Sequence, residues 1–288
     1  MNVAREPVEL PEDRRAVAIG TFDGVHRGHL RVIDAARTAG LRTTVVTFDP
    51  HPRVVLGGRV ELLATLERRL ELLAAAHVDD VLVLRFDEHL AALLAEEFAD
   101  RMLRGIGAEV VAAGATFRFG QGRSGDLALL ERLGFDVRRV PIVENVSSSR
   151  VRELVHAAET EQAAKLLGRP PEVEGTVVRG DGRGRELGFP TGNLDVPDGL
   201  LVPPDGVYAG WARDTRAAVS IGTNPHFDGV DRRVEAYLLD FDGDLYGERL
   251  VVEIWSRIRE QSRFDSLEQL VAAIDDDVER TRDAVRPG

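Results

Sequence analysis

Short apolar runs and helical periodicities alternate along the first half of the chain. Residues 16–19, 43–48, 81–86, 109–113 and 135–143 are apolar or β-branched runs of strand length. Between them, residues 29–39 carry Leu30, Ile33 and Ala36 at helical spacing, and Leu66, Leu70 and Leu73 mark another helix. Residues 88–104 read as one long helix. The prolines of Asp49-Pro50-His51-Pro52 stop the second strand. Apolar strands that alternate with helices predict a parallel, doubly wound α/β sheet covered on both faces. In such sheets ligands sit at the carboxyl ends of strands, where the segments starting at Gly20 and Asp49 fall.

The period changes further along. A helix is expected over residues 147–167, broken by Gly168-Arg169-Pro170-Pro171. That break suggests domains of residues 1–168 and 169–288. Beyond it, residues 173–178, 206–211, 217–221, 234–241 and 250–255 alternate with period two, and Asp242-Gly243-Asp244 gives a hairpin signal before the last of them. Closely spaced short strands predict an antiparallel β-barrel. A final helix over residues 266–282 sets Leu267, Leu270, Val271 and Ile274 on one face.

Composition narrows the function. At 288 residues the chain is long enough for two cored domains. Its net charge of −12 speaks against general nucleic-acid binding. No apolar run approaches the roughly 20 residues that span a bilayer, and the first residues have no signal-peptide core. The absence of cysteine excludes disulfides and thiolate metal sites and fits a reducing cytoplasm. Lys165 is the sole lysine. Phosphate contacts therefore fall to arginine, histidine and backbone amides.

Two stretches about 160 residues apart look built for phosphate. The first, Gly20-Thr21-Phe22-Asp23-Gly24-Val25-His26-Arg27-Gly28-His29, runs from a strand into a helix N-terminus, where amides and the helix dipole favour an anion. His26 and His29 are spaced to face one point, and Gly28 allows close approach of a phosphate. Two surface histidines, or half of a zinc site, are the alternative readings of the same residues. Val146-Ser147-Ser148-Ser149-Arg150-Val151-Arg152 opens another helix with hydroxyls at its cap and arginines in its first turn, where the dipole favours cations only beside an anion. A solvated first turn is the alternative there. The second stretch, Gly180-Asp181-Gly182-Arg183-Gly184-Arg185, continues to Pro190-Thr191-Gly192-Asn193.

The stretch around His26 and His29 resembles the H-x-G-H signature of the nucleotidylyltransferase superfamily, and Val146 to Arg152 resembles its I-S-S-T-x-x-R partner. With Thr47-Phe48-Asp49-Pro50-His51-Pro52 and Phe117-Arg118-Phe119-Gly120, they resemble the N-terminal module of prokaryotic bifunctional riboflavin kinase/FAD synthetases. Gly180 to Asn193 is similar to the glycine loop and P-T-A-N of that family's kinase module. Gly206-Val207-Tyr208, Val234-Glu235, Arg257-Ile258-Arg259 and Phe264-Asp265-Ser266-Leu267 follow in the family's order. The resemblance implies a Rossmann-like nucleotidylyltransferase sheet followed by a riboflavin kinase barrel. It implies ATP-dependent phosphorylation of riboflavin to FMN, then adenylylation of FMN to FAD with release of pyrophosphate. It assigns ATP in the first module to Gly20, Phe22, Asp23, Gly28, Ser148, Ser149 and Arg152, with His26 and His29 catalytic. The flavin there falls to His51, Pro52, Thr116 and Phe117. In the kinase module ATP falls to Gly180, Gly182, Gly184 and Arg185, Mg²⁺ to Thr191 and Asn193, the general base to Glu235, and the flavin side to Arg259 and Phe264.

The chain departs from the family pattern at Thr116, where Asn or Asp is usual, at Gly192 in place of Ala, and at His226 after Asn224-Pro225. Thr116 offers a shorter side chain with fewer contacts than a carboxamide. A riboflavin kinase with a weak adenylyltransferase module, and a non-catalytic flavin or nucleotide sensor, are therefore the alternatives. The oligomeric state is left open, as family members can self-associate.

Overall fold

The computed structural model describes residues 1–180, 188–223 and 232–288. By packing these form two compact units, residues 1–60 with 66–147, and residues 61–65 with 148–288. The units divide at Ser147, whereas the change of sequence period falls at Gly168. The two helices in between pack within the second unit, with Val151, Leu154, Val155, Ala163 and Leu167 sharing one apolar cluster with Leu201.

The first unit holds six parallel strands, β1 (Asn2–Ala4), β2 (Arg15–Ile19), β3 (Arg42–Asp49), β4 (Asp80–Arg85), β5 (Ala108–Gly114) and β6 (Asp136–Val140), in the order β1-β4-β3-β2-β5-β6. Alternate residues of one strand feed two cores. Val17 and Ile19 join Val46, Leu82 and Val111 on one face, and Ala16 and Ala18 join Val45, Val81 and Val110 on the other. This is the parallel, doubly covered sheet expected from the apolar strands. β1 is an edge strand that the period did not reveal. The chain runs β2-β3-β4 to one side and then returns to place β5 and β6 on the other, so the order reverses at β2. The Gly20 loop leaves β2 at that switch point.

The long helix expected over residues 88–104 is four short pieces, Glu88–Ala92, Ala95–Phe98, a π turn at Ala99–Leu103 and a 3-10 turn at Arg104–Ile106. Leu93 and Leu94 are extended, with ψ of 132° and 155°. The carboxylate of Glu97 accepts from the Leu94 N–H at 3.1 Å and restarts the helix. Similarly, Ala158 at φ 58° splits the helix expected over residues 147–167 into Ser148–His156 and Thr160–Leu167.

At the amino ends of the strands a buried ion cluster ties the first unit together. Arg15 and Asp80 are both fully buried, 3.6 Å apart, and Asp80 also accepts from Arg42 Nε at 2.5 Å and from Asn2 Nδ2 at 2.8 Å. Burial raises the carboxyl's pKa, but the hydrogen bonds from Arg42 and Asn2 and the charges of both arginines outweigh it, so Asp80 titrates below the usual carboxylate value of 3.8. Removing one partner leaves a buried cation uncompensated. Asp80→Ala is therefore expected to cost about 3–5 kcal/mol in urea unfolding, and a loss within the roughly 1 kcal/mol of an exposed pair would refute this. Because the folded-state pKa is the lower one, this stabilisation is complete above the unfolded value of 3.8 and disappears as pH falls through the folded one.

In the second unit β7 (Glu172–Val178), β8 (Gly192–Asp195), β9 (Gly206–Ala212), β10 (Thr215–Thr223), β11 (Arg232–Leu238) and β12 (Arg249–Arg259) close an antiparallel barrel in the order β10-β11-β8-β7-β12-β9. Val177, Leu194, Tyr208, Val219, Val234 and Val252 fill its interior. The hairpin expected at Asp242-Gly243-Asp244 does not form. β11 pairs with β10 and β8, and β12 with β7 and β9. After β11 the chain turns to β7 instead, where the Gly247 N–H donates to the Val177 carbonyl at 2.8 Å. The tight hairpin lies between β9 and β10, where Arg213 and Asp214 adopt φ of 50° and 61°, as a type I′ turn requires. The last helix, Leu267–Asp283, is capped by Ser266 and buries Asp277 and Thr281 most deeply, while Leu267 stays 57% exposed.

Candidate functional site

The Gly20 loop is buried and conformationally unusual. Phe22 and Val25, both nearly inaccessible, adopt φ of 50° and 38°, and Gly24 adopts 77°. The loop delivers His26 as the N-cap of helix Arg27–Arg37. His26 Nδ1 accepts from the His29 N–H at 3.2 Å, and His29 Nδ1 accepts from the His26 N–H at 3.3 Å. This is a capping box made of two imidazoles. Their rings stack with centroids 3.6 Å apart and 10° between planes. With Nδ1 accepting, the neutral ring carries its proton on Nε2, so each imidazole offers an Nε2–H donor. Gly28 packs closely on this pair, as a Cβ there would stand 3.1 Å from the His26 ring and press on it. The structure thus brings together Gly20, Phe22, Asp23, His26, Gly28 and His29. Phe22 lies 5.1 Å from the His29 ring, and Asp23 is buried.

Two more loops end at the same edge of the sheet. After β3, His51 caps the short helix Pro52–Val55 through its Nδ1, which accepts from the Arg53 N–H at 3.1 Å. After β5, Thr116 is exposed and Phe117 stacks on Phe119 at 5.6 Å. Ser148, Ser149 and Arg152 stand in the first turns of helix Ser148–His156 in the second unit. Arg152 Nε donates to the Glu61 carbonyl at 2.6 Å, and His156 pairs with the Glu61 carboxylate at 2.6 Å.

The barrel collects a second set of groups on its outer surface. Strand register places Val178, Asn193, Glu235, Ser220, Val207 and Arg259 in one lateral row across β7, β8, β11, β10, β9 and β12. Residues directly opposite share a face, so the half-buried Glu235 lies beside Asn193. The neighbours of Glu235, Val234 and Ala236, point into the core. Gly180 lies against the Asn193 amide so closely that any side chain there would collide with it. Thr191 immediately precedes β8, and Phe189 packs edge-on against Tyr237 of β11 at 5.7 Å. Arg259 makes a two-pronged pair with buried Asp277, Nε at 2.8 Å and Nη2 at 2.7 Å, and its guanidinium lies 5.5 Å from the Phe264 ring. Gly182, Gly184, Arg185 and His226 lie outside the described residues.

In comparison with known proteins, two different family models match successive parts of the chain. A FAD synthetase family model matches residues 9–152, and a riboflavin kinase model matches residues 167–285. A bifunctional riboflavin kinase/FMN adenylyltransferase of Listeria monocytogenes is 36% identical over 95% of this chain and 93% of its own length. The chain belongs to the bifunctional riboflavin kinase/FMN adenylyltransferase family. Its Escherichia coli K12 member is likewise 36% identical, over 92% of this chain and 91% of its own. A crystal structure described as a macrolide-efflux protein from Streptococcus pneumoniae matches with a TM-score of 0.87 at 32% identity, covering 98% of this chain and 99% of that one. That description stays with that protein. Among the described residues here, no helix is long and apolar enough to cross a membrane.

Within the FAD synthetase match, one prominent group escaped the motif reading. Arg69, on helix Leu66–Ala75, is 5% exposed and donates from Nη1 to the Thr21 carbonyl at 2.8 Å. The signal was available, because Arg69 falls between Leu66 and Leu73 at the spacing of the buried face. The bifunctional family's kinase match contains Ser220, whose hydroxyl accepts from Gln261 Nε2 at 3.0 Å in the same outward row as Glu235.

Proposed function

We propose that the chain carries out two consecutive steps of flavin cofactor synthesis, phosphorylating riboflavin to FMN and adenylylating FMN to FAD, each with ATP. The observation that carries this reading is that each unit has its own reactive constellation, paired imidazoles at the end of β2 and the adjacent Asn193 and Glu235 on the barrel.

In the kinase step Glu235 takes the proton of the ribityl hydroxyl as that oxygen attacks the γ-phosphorus of ATP and ADP leaves. Thr191 Oγ1 and Asn193 Oδ1 are hard oxygen donors suited to Mg²⁺ held jointly with nucleotide phosphates, and bound there it would neutralise phosphate charge. Among the described residues no cluster of three or more His, Asp or Glu competes for that role. Gly180 supports the nucleotide side through its close packing on Asn193. Arg259, fixed by Asp277, presents a flat cation over Phe264 that suits a flavin ring.

In the adenylyl transfer, a phosphate oxygen of FMN attacks the α-phosphorus of a second ATP and pyrophosphate leaves. The Nε2–H groups of His26 and His29 donate to α-phosphate oxygens as charge grows on them, with no covalent intermediate on the protein. His51, Pro52, Thr116 and Phe117 serve the flavin, and Ser148, Ser149 and Arg152 serve ATP by their match to the family motif. The ATP supply makes the cytoplasm the setting of both steps.

The test is to incubate the purified protein with riboflavin, ATP and Mg²⁺ and separate the flavins over time. FMN followed by FAD is the expected result. FMN alone at high enzyme concentration would leave only the kinase, and no product would leave a binding protein.

A further inference from the structure

A buried guanidinium sits behind the loop that the proposed adenylyl transfer uses, and no step of that transfer consumes it. The Thr21 carbonyl accepts two hydrogen bonds, from Arg69 Nη1 at 2.8 Å and from Thr47 Oγ1 at 3.0 Å. Arg69 Nη2 lies 3.6 Å from Asp49 at the end of β3, and its Nε is buried with no hydrogen-bond partner among the described residues. Burial lowers the Arg69 pKa, against the opposing charges of Asp49 and Asp23. Burying such a cation is costly, and a leucine would satisfy the helix pattern without that cost. What the cation gains is a grip on Thr21, the residue immediately before Phe22, at the start of a loop whose non-glycine residues Phe22 and Val25 are both held at positive φ. Such backbone conformations are strained and persist only where their surroundings over-determine them.

We propose that Arg69 is a positioning residue for nucleotidyl transfer. Clamped between the Thr21 carbonyl and Asp49, it holds the Phe22–Val25 path that presents the loop amides and the His26–His29 pair to the phosphates of ATP. Thr47 holds the same carbonyl from β3, so the loop is fixed from two elements. Arg69 has no role in the kinase reaction. The inference rests on the reading of the Gly20 loop as the adenylyl-transfer site.

Arg69→Met keeps the length and apolar packing of the side chain and removes the donors and the charge. Arg69→Lys restores one donor and the charge. In Arg69→Met, kcat/KM for FAD formation is expected to fall about tenfold to a hundredfold. Most of the loss should lie in KM for ATP, with KM for FMN unchanged, because the loop holds the nucleotide in ground and transition states alike. Arg69→Lys should recover a large part of it. Hydrogen exchange supplies a readout independent of turnover. The amides of Val25, His26 and His29 should exchange faster in Arg69→Met than in Arg69→Lys or the parent, while riboflavin phosphorylation and barrel amides stay unchanged. Parent-like KM and exchange in Arg69→Met would overturn the proposal, as would equal impairment in Met and Lys. If the parent made no FAD, the functional reading would fall, and the exchange of these three amides would still decide whether Arg69 sets the loop.

Discussion

His29→Ala is expected to slow FAD formation from supplied FMN by about 10²–10³-fold, the usual consequence of losing one donor aimed at developing charge. Formation of FMN from riboflavin should be unchanged. The prediction follows from the reciprocal cap. His29 spends Nδ1 on the His26 N–H and so directs an Nε2–H donor elsewhere. Alanine removes the donor together with the reciprocal half of the capping box, a net hydrogen bond worth about 0.5–1.5 kcal/mol, while the bond from the residue-29 N–H to His26 Nδ1 remains. His29→Asn separates the two, since its amide oxygen can still accept from the His26 N–H. The asparagine variant should therefore keep most of the lost stability and little of the lost activity. Coupled loss of both reactions in a folded His29 variant would refute the assignment of separate sites.

Glu235→Gln should lower FMN formation by about 10²–10⁴-fold, the range for removing a general base, and leave adenylylation of supplied FMN intact. The substitution preserves side-chain shape beside Asn193, so a loss of rate without a matching loss of riboflavin or ATP affinity identifies proton transfer as the missing function. Near-parental FMN formation would move the base elsewhere and reduce Glu235 to a polar group on an outward face.

Some of this was plain in the residues and some was hidden by physics that sequence patterns do not carry. Strands β2 to β5 are apolar on both faces, so their burial and parallel arrangement follow from composition. Gly28 announced a close approach, and the structure adds that the tight neighbour is the His26 ring itself. The break at Leu93 and Leu94 had no such marker, because two leucines continue a helical pattern and only the return of Glu97 to the Leu94 N–H reveals the restart. Asp242-Gly243-Asp244 has the chemistry of a turn, but the partner of β12 is chosen by barrel closure. The β9–β10 turn is made by Arg213 and Asp214, without glycine, and so carried no turn signal. β8 is only four residues, and the single apolar Leu194 between Asn193 and Asp195 is too short an alternation to mark a strand. Arg69 has charged neighbours in Glu67, Arg68 and Glu71, and only its spacing between Leu66 and Leu73 sets it apart from them on the buried face.

On β11 reactive and packing residues take turns, Glu235 outward between Val234 and Ala236 inward. Parity therefore binds chemistry to folding on this strand. Insertion or loss of one residue within it would drive a carboxylate into the hydrocarbon interior and turn the valine side to water. Such a change would be read as misfolding before it could be read as altered catalysis. Variation that tunes the kinase reaction is thus confined to substitutions at fixed positions, or to the segments that flank the strand.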